Sequence, residues 1–483
     1  MKNSHNKFNW DGNFVRAVEL LFDLIVIIIS LLFIYMLKIY VNDVESIDSL
    51  IGLFIDAQNY MMLPNAVYAN VIYIIITMSL VVLYEASIIR KKYFDAFTSL
   101  ILSLFLGFVI LIILNYIFLI DVMSPITILG LFIVEIIIFA PVKYFEHRFI
   151  YKRLKIRVLL IGTDDDLQNY FLKFRKSLPI GRELKFVYKF DITNDDILND
   201  KILEILNKVE MIYLLPSIPD DAKDEIIKYT FGNKNISIGL VPDLYEVGLM
   251  KSQFEMINDV MISKIKPLQL SFLNTILKRL FDIFASIIAL SLLAPVFLVV
   301  SILIKIEDRG PILYKQLRVT KNDRKFNIYK FRSMVVDAEK DTGAIQAREN
   351  DNRITKIGKF LRRIRLDEIP QLINVLMGQM SIVGPRSLRV EEVEEYSKLN
   401  PNFKFRLNVK AGITGMAQIY GNYVTKPDEK LRLDIYYIKN FSFWLDLKLI
   451  LLTIRTIFDR SSTKGVEVYS DDYYEVIEKL FIK

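Results

Sequence analysis

Residues 283–304 read IFASIIALSLLAPVFLVVSILI, and whether this run crosses a membrane or turns back decides the architecture of the C-terminal half. It is long enough to span roughly 30 Å of hydrocarbon. Pro295, near its middle, removes a backbone donor and bends a helix. Both flanks are basic, with Lys278 and Arg279 before the run and Lys305, Arg309, Lys315 and Arg318 after it. A crossing helix would put one cluster on the wrong face, whereas a re-entrant helix over 283–304 keeps both in the cytoplasm. The flanks favour re-entry; a fifth true span is the alternative.

Four further apolar runs open the chain, at about 17–37, 67–89, 97–119 and 124–142, each of spanning length. The first is too long, and too far from a small-residue cleavage site, for a secretory signal. Lys2, Lys7 and Arg16 precede the first run, Arg90, Lys91 and Lys92 follow the second, and Lys143, Arg148, Lys152, Arg153, Lys155 and Arg157 follow the fourth. The loop after the first run is acidic (Asp43, Glu45, Asp48, Asp56), and the loop after the third offers only Asp121. Both ends of a four-helix transmembrane bundle are therefore expected in the cytoplasm. Glu19, Asp23, Glu85 and Glu135 lie in or beside these runs; they mark either a transport path or, the preferred reading, helix-end and interhelical pairs.

Composition agrees with a membrane protein. The 483 residues are 53% hydrophobic, with a mean hydropathy of +0.33. The net charge of +7 comes in basic clusters, which suits anionic lipid or a nucleotide or phosphate substrate. Cysteine is absent and His5 and His147 are the only histidines. That argues against disulfides, thiolate chemistry, His-based triads and His-rich zinc sites. Carboxylates, Lys, Tyr or Ser must do any chemistry.

Between the two apolar regions, strand patterns at 157–161, Lys185–Phe190, Met211–Leu215 and Ile236–Val241 alternate with helical patterns at about 165–177, 197–208 and 219–230. Such alternation predicts a small parallel sheet of Rossmann type. The first loop, Gly162-Thr163-Asp164-Asp165-Asp166, lacks the later glycines and its aspartates would repel a pyrophosphate. A degenerate, structural or regulatory module is expected. The domains are read as 1–150 (bundle), 151–265 (degenerate Rossmann-like) and 266–483 (α/β catalytic).

Downstream, Arg365-Leu366-Asp367-Glu368-Ile369-Pro370-Gln371-Leu372 sets two carboxylates at the end of a basic run; six of the thirteen residues from Arg353 to Arg365 are Lys or Arg. In such a field the pair can hold a divalent metal, and one member can attack phosphorus. Carboxylate, metal and arginines together suggest phosphoryl transfer; a salt-bridged helix start is the plainer alternative. Residues 315–332 add seven basic side chains, mostly a solvated or lipid-facing surface. Lys330 and Arg332 stand out because the strand pattern Phe326-Asn327-Ile328-Tyr329 fixes their direction. At about 431–458, Leu431, Leu433, Ile435, Ile438, Phe441 and Phe443 interleave with charges near Trp444. This predicts an amphipathic interfacial helix rather than core packing.

From Lys278 onward, about 180 residues resemble the bacterial sugar transferase family, the monotopic phosphoglycosyl transferases. The matching blocks are Lys278-Arg279-Leu280-Phe281-Asp282, Gly310-Pro311, Tyr329-Lys330-Phe331-Arg332-Ser333-Met334, the stretch Arg353–Arg362, Leu366–Val375, Met380–Arg386, and Gly412-Ile413-Thr414-Gly415-Met416-Ala417-Gln418. The N-terminal half resembles the family's long subgroup, with four spans and a degenerate Rossmann-like domain. The resemblance implies transfer of a sugar-1-phosphate from a UDP-sugar to undecaprenyl phosphate at the cytoplasmic face of the bacterial inner membrane. It implies Asp367 as nucleophile, Glu368 helping to hold Mg²⁺ with it, and Lys330, Arg362 and Arg386 as phosphate contacts or supports of the pair. Asp282 falls on an acidic position beside the re-entrant helix and Pro295 on its kink. Membrane lipid is an implied partner, nucleic acid is not, and the long subgroup suggests a homodimer. Three positions depart from the family: Ala294 precedes the proline where serine is usual, Ser387 replaces a proline after Arg386, and Gln379 stands where an acid is frequent. These leave the carboxylate pair intact and bear on lipid-phosphate positioning. A transporter or sensor with a regulatory tail, and a glycosyltransferase that moves only the sugar and releases nucleoside diphosphate, are the competing readings. No motif identifies the sugar.

Overall fold

Long apolar sequences satisfy their backbone groups internally, and each of the four N-terminal runs is helical in the computed structural model: α1 (Gly12–Asn42), α2 (Pro64–Ser87), α3 (Tyr93–Tyr116) and α4 (Pro125–Glu146). The structure describes residues 12–42, 56, 61, 64–87, 93–116, 123–146, 148, 156–178, 182–191, 198–232, 236–250, 252–265, 267–336, 338, 351–421 and 425–458. The charged loop residues Lys2, Lys7, Asp43–Asp48, Arg90–Lys92 and Lys152–Lys155 lie outside that set. The four helices share a core that includes Ile27, Leu31, Tyr73, Val81, Leu104, Leu131 and Phe139. Among the described residues, Leu20–Tyr40, Pro125–Phe145 and Phe272–Asp308 are long and apolar enough to cross a membrane, and α2 and α3 carry shorter apolar stretches. Two of the carboxylates in the apolar runs have partners on other helices. Asp23 pairs with Lys143 at 2.6 Å, both buried, and Glu135 hydrogen-bonds Tyr73. The side chains of Glu19 and Glu85 are outside the described residues.

The chain divides into two compact units at Val241/Pro242. In the first, β1 (Ile156–Gly162), β2 (Arg182–Lys189), β3 (Met211–Leu214) and β4 (Ser237–Leu240) alternate with α5 (Asp164–Ser177), α6 (Asp200–Leu206) and α7 (Asp220–Gly232). The strands form a parallel sheet in the order β2-β1-β3-β4. This is the flavodoxin-like arrangement rather than the Rossmann order, and ligands of such sheets bind where the order reverses, between β1 and β3. That crevice is closed from within. Asp166, buried on the first turn of α5, accepts from Ser217 N (2.9 Å) and Ser217 Oγ (3.0 Å) just beyond β3. The chain's own carboxylate stands where a phosphate would dock.

The second unit begins with α8 (Leu244–Leu249), whose Val247 packs with Phe403, Leu431 and Ile435. This apolar contact ties the residues before 266 to the C-terminal unit. The hairpin β5 (Gln253–Ile257) and β6 (Val260–Lys264) follows, then α9 (Phe272–Asp308), helical straight through Pro295. Next come the antiparallel pair β7 (Leu313–Thr320) and β8 (Arg324–Phe331), α10 (Lys356–Arg363), α11 (Gln371–Leu376), β9 (Ser381–Val383), α12 (Val390–Leu399), β10 (Gly412–Thr414), α13 (Met416–Ile419), α14 (Pro427–Lys439) and α15 (Phe443–Phe458). The expected interfacial helix at 431–458 is instead two helices. Leu431, Ile435 and Ile438 are buried in the unit's core because α14 packs on β9 and on Phe403. Among the described side chains of α15, the large apolar groups that are exposed, Phe443 and Trp444, lie at its start.

Candidate active site

Asp367 and Glu368 lie on a single 3₁₀ turn, Leu366–Glu368, between α10 and α11. The turn opens at Arg365, whose φ of 54° and ψ of 23° are left-handed. Such a conformation costs a non-glycine residue on the order of 1–3 kcal/mol, so its surroundings must impose it. Arg365 N donates to Arg362 O (3.3 Å), and Glu368 N donates to Arg365 O (3.2 Å). Upstream, Thr355 Oγ1 caps α10 by accepting from Gly358 N (2.9 Å). Gly358 lies so close to the Ser333 carbonyl that a Cβ there would collide with backbone. Arg362 Nε donates to Ser333 Oγ (2.8 Å), fixing the guanidinium on the dyad's side of the helix.

The cations do not treat the two carboxylates alike. Lys330 Nζ and Arg386 Nη2 both donate to Glu368 Oε1, at 2.9 and 3.0 Å. Burial works against the charge on Glu368, but Lys330 and Arg386 outweigh it and hold the group well below the usual carboxylate range. Asp367 feels Lys330, Arg362 and Arg386 only through space. Its burial, followed by the charge on Glu368, pushes it up to about 6. One carboxylate is thus committed to the cations, and the other is left available beside them.

Neighbouring segments hold this geometry. Asn374 is fully buried on α11. Its Nδ2 donates to Asn327 O (2.8 Å) and Gln379 Oε1 (2.7 Å), and its Oδ1 accepts from Tyr329 N (2.9 Å). A single amide therefore locks α11 to the edge of β8, next to Lys330. On the other side, Arg386 follows Gly384 and Pro385. Gly384 N donates to Thr414 O and Gly412 N to Pro385 O, each at 2.8 Å. Any Cβ at Gly384, Gly412 or Gly415 would strike the facing backbone, which explains the glycines in both blocks. Arg406, buried against Asp434 (2.8 Å), donates to Arg386 O (3.0 Å). Arg318 donates to Ser387 O (3.2 Å).

The structure thus brings Asp367, Glu368, Lys330, Arg362 and Arg386 together. It does not bring Arg332 to them. Arg332 lies past the end of β8, buried, and pairs with Asp308 at the end of α9. Strand alternation gave it the same face as Lys330, but the strand ends at Phe331 and the direction is lost. Asp282 Oδ1 accepts from Ile382 N (3.0 Å), which fastens the first part of α9 to β9. Pro295 lies within α9, away from the dyad in sequence and inside an unbroken helix. Sequence reading missed Asn374 and Arg406. The signal for Asn374 was a lone amide on the apolar face between Leu372 and Val375; nothing local marks Arg406.

A family model described as bacterial sugar transferase matches residues 273–460. The chain is 36% identical over 294 residues to a UDP-glucose:undecaprenyl-phosphate glucose-1-phosphate transferase of Klebsiella pneumoniae, covering 58% of this chain and 63% of that protein. It is 44% identical over 184 residues to a UDP-N-acetylgalactosamine-undecaprenyl-phosphate N-acetylgalactosaminephosphotransferase of Aeromonas hydrophila, covering 38% of this chain and 43% of that protein. It is 42% identical over 191 residues to the exopolysaccharide production protein PSS of Rhizobium leguminosarum bv. phaseoli, covering 38% of this chain and 95% of that protein. The chain spans less than two thirds of the length of the first two of these relatives.

Proposed function

The chain belongs to the bacterial sugar transferase family, and from that premise we propose that it moves a sugar-1-phosphate from a UDP-sugar to undecaprenyl phosphate, releasing UMP. The observation that carries this reading is the unequal dyad, with Glu368 gripped by Lys330 and Arg386 and Asp367 beside them without an ion pair among the described residues. In the first step a carboxylate oxygen of Asp367 attacks the sugar-bearing phosphorus. The bond to the UMP oxygen breaks, and a phosphosugar-aspartate remains. In the second step an oxygen of the lipid phosphate attacks the same phosphorus and the aspartate carboxylate leaves. Lys330, Arg362 and Arg386 offset the added anionic charge. The covalent route divides one awkward encounter into two and predicts ping-pong kinetics.

The donor set suits Mg²⁺, which takes one or two carboxylates and fills its other positions with water and phosphate oxygens. Asp367 and Glu368 would hold it, although no group of three or more acidic or His side chains stands together among the described residues. When bound it would neutralise part of the anionic charge of the donor.

The proposed setting is the cytoplasmic face of the bacterial inner membrane, with α1–α4 a transmembrane bundle, the sheet domain from about 151 to Val241, and the catalytic part from Pro242 held by α9 as a re-entrant helix. Support for re-entry comes from both ends of α9. Near its start, Arg279 binds carbonyls of α11 and Asp282 binds β9. Near its end, Asp308 pairs with Arg332, Glu307 accepts from Ile357 N (3.2 Å), and Val300 and Ile304 pack with Phe331 and Leu361. Fastening of both ends of α9 to the same unit favours their lying on one side of the bilayer.

The test uses membranes given UDP-sugars labelled in the β-phosphate. Wild type is expected to become labelled and to release UMP, and Asp367→Asn to do neither. Release of UDP, or labelling undiminished in Asp367→Asn, would refute the reading.

A further inference from the structure

Three cations away from the dyad surround one turn of backbone, and among the described residues none of them is ion-paired. Arg279, on α9, donates through Nη1 to Val375 O (2.6 Å) and through Nη2 to Leu376 O (2.7 Å). Two of its five N–H donors are used in this way. Gly378 follows that turn with φ of 79°. A methyl group on it would sit 3.4 Å from Arg279 Nη2 and 3.7 Å from Lys410 Nζ, so both charges close on one point. Lys321 is drawn in by its neighbour. The Thr320 hydroxyl donates to Gln379 O (2.9 Å) and accepts from Ala411 N (3.1 Å), tying together the segments that carry Lys321, Gly378 and Lys410.

The local charge does not balance. Around Lys410, Arg279, Lys321 and Lys278 repel and Asp282 attracts. Lys278 is already neutralised by Asp446, which leaves three cations facing the single charge of Asp282. Among the described residues Arg279, Lys321 and Lys410 form no ion pair. Clustered like charges are unfavourable until an anion joins them. The adjoining surface is apolar: Leu277, Leu280, Phe284 and Met377 are each about half exposed or more. A ligand that suits both features has a phosphate head and a hydrocarbon body.

We propose that Arg279, Lys321 and Lys410 bind the phosphate of an anionic phospholipid where α9 meets the membrane. The site is not that of the acceptor. It lies at the far end of α11 from the dyad, about 9 Å away along a helix rising roughly 1.5 Å per residue, and a phosphate there cannot attack phosphorus on Asp367. The inference rests on α9 entering the membrane.

The full-length protein is reconstituted in phosphatidylcholine vesicles with and without phosphatidylglycerol, and its melting temperature is measured. Phosphatidylglycerol is expected to raise the wild-type value. The double variant Lys321→Gln, Lys410→Gln is expected to melt like wild type in pure phosphatidylcholine and to lose the rise. Arg279 is left intact because it also caps α11. A full rise in the double variant, or none in wild type, overturns the site. A rise reproduced in detergent by inorganic phosphate alone overturns the lipid as its ligand. A protein that stays out of both vesicle types removes the membrane reading and the site with it, whereas one that enters both and melts alike removes the site alone. UMP release, measured separately, reports on the proposed reaction.

Discussion

The two carboxylates of the dyad differ because their neighbours differ, and pH exposes the difference. Asp367 must be ionised to attack, and burial with the adjacent Glu368 charge raises it to about 6. Its active form is therefore present above that value and lost below it. The donor kcat/KM is expected to fall with pH once Asp367 protonates, with Glu368 still charged, and Mg²⁺ held by the pair would move that fall to lower pH. Lys330→Met leaves Glu368 with Arg386 alone. Loss of one charge-assisted hydrogen bond, about 1.5–3 kcal/mol, predicts a drop in kcat/KM of about ten- to a hundredfold. Steady-state UMP release checks both. The basic run drew attention to this pair in the sequence, and the family resemblance, rather than the local pattern, assigned its roles. Which acid takes the cations was not legible there, since Lys330 and Arg386 come from segments distant in the chain.

At the scale of elements, the strands and helices of the sheet domain follow from their patterns, because alternation of buried runs with amphipathic ones has one economical packing. Strand order is a different matter: no local pattern told that β1 would lie between β2 and β3, since sheet neighbours are chosen by crossover geometry. The error at 431–458 has a related cause. Leu431, Ile435 and Ile438 make the same stripe whether lipid or Phe403 and the β9 region faces it, and only the fold supplies the face. Asn374→Ala strips partners from Tyr329 N and Asn327 O. With about 1–3 kcal/mol for each buried group left unsatisfied, urea titration is expected to show a loss of a few kcal/mol, and Lys330 loses its alignment. Gly412→Ala is expected to be worse, because the added methyl meets backbone at Gly384 with no side chain to yield; little soluble, active enzyme should be recovered.

For the whole molecule, two units imply that chemistry and the N-terminal half are separable. The Rhizobium relative is almost entirely covered by 38% of this chain. A chain starting at Pro242, which keeps Val247 in its core, is expected to release UMP from the donor, and one starting at 266 to be less stable in a thermal melt. The amide of Asn374 has a last consequence, for encounters between molecules. A two-stranded ribbon has open sides, and β8 would present bare N–H and C=O groups there if Asn374 did not fill them. Remove that side chain and α11 is held less firmly over the edge, so wherever it lifts away the ribbon offers a template for a neighbour's strand, and crowded preparations of such a variant should form insoluble oligomers more readily than the wild type.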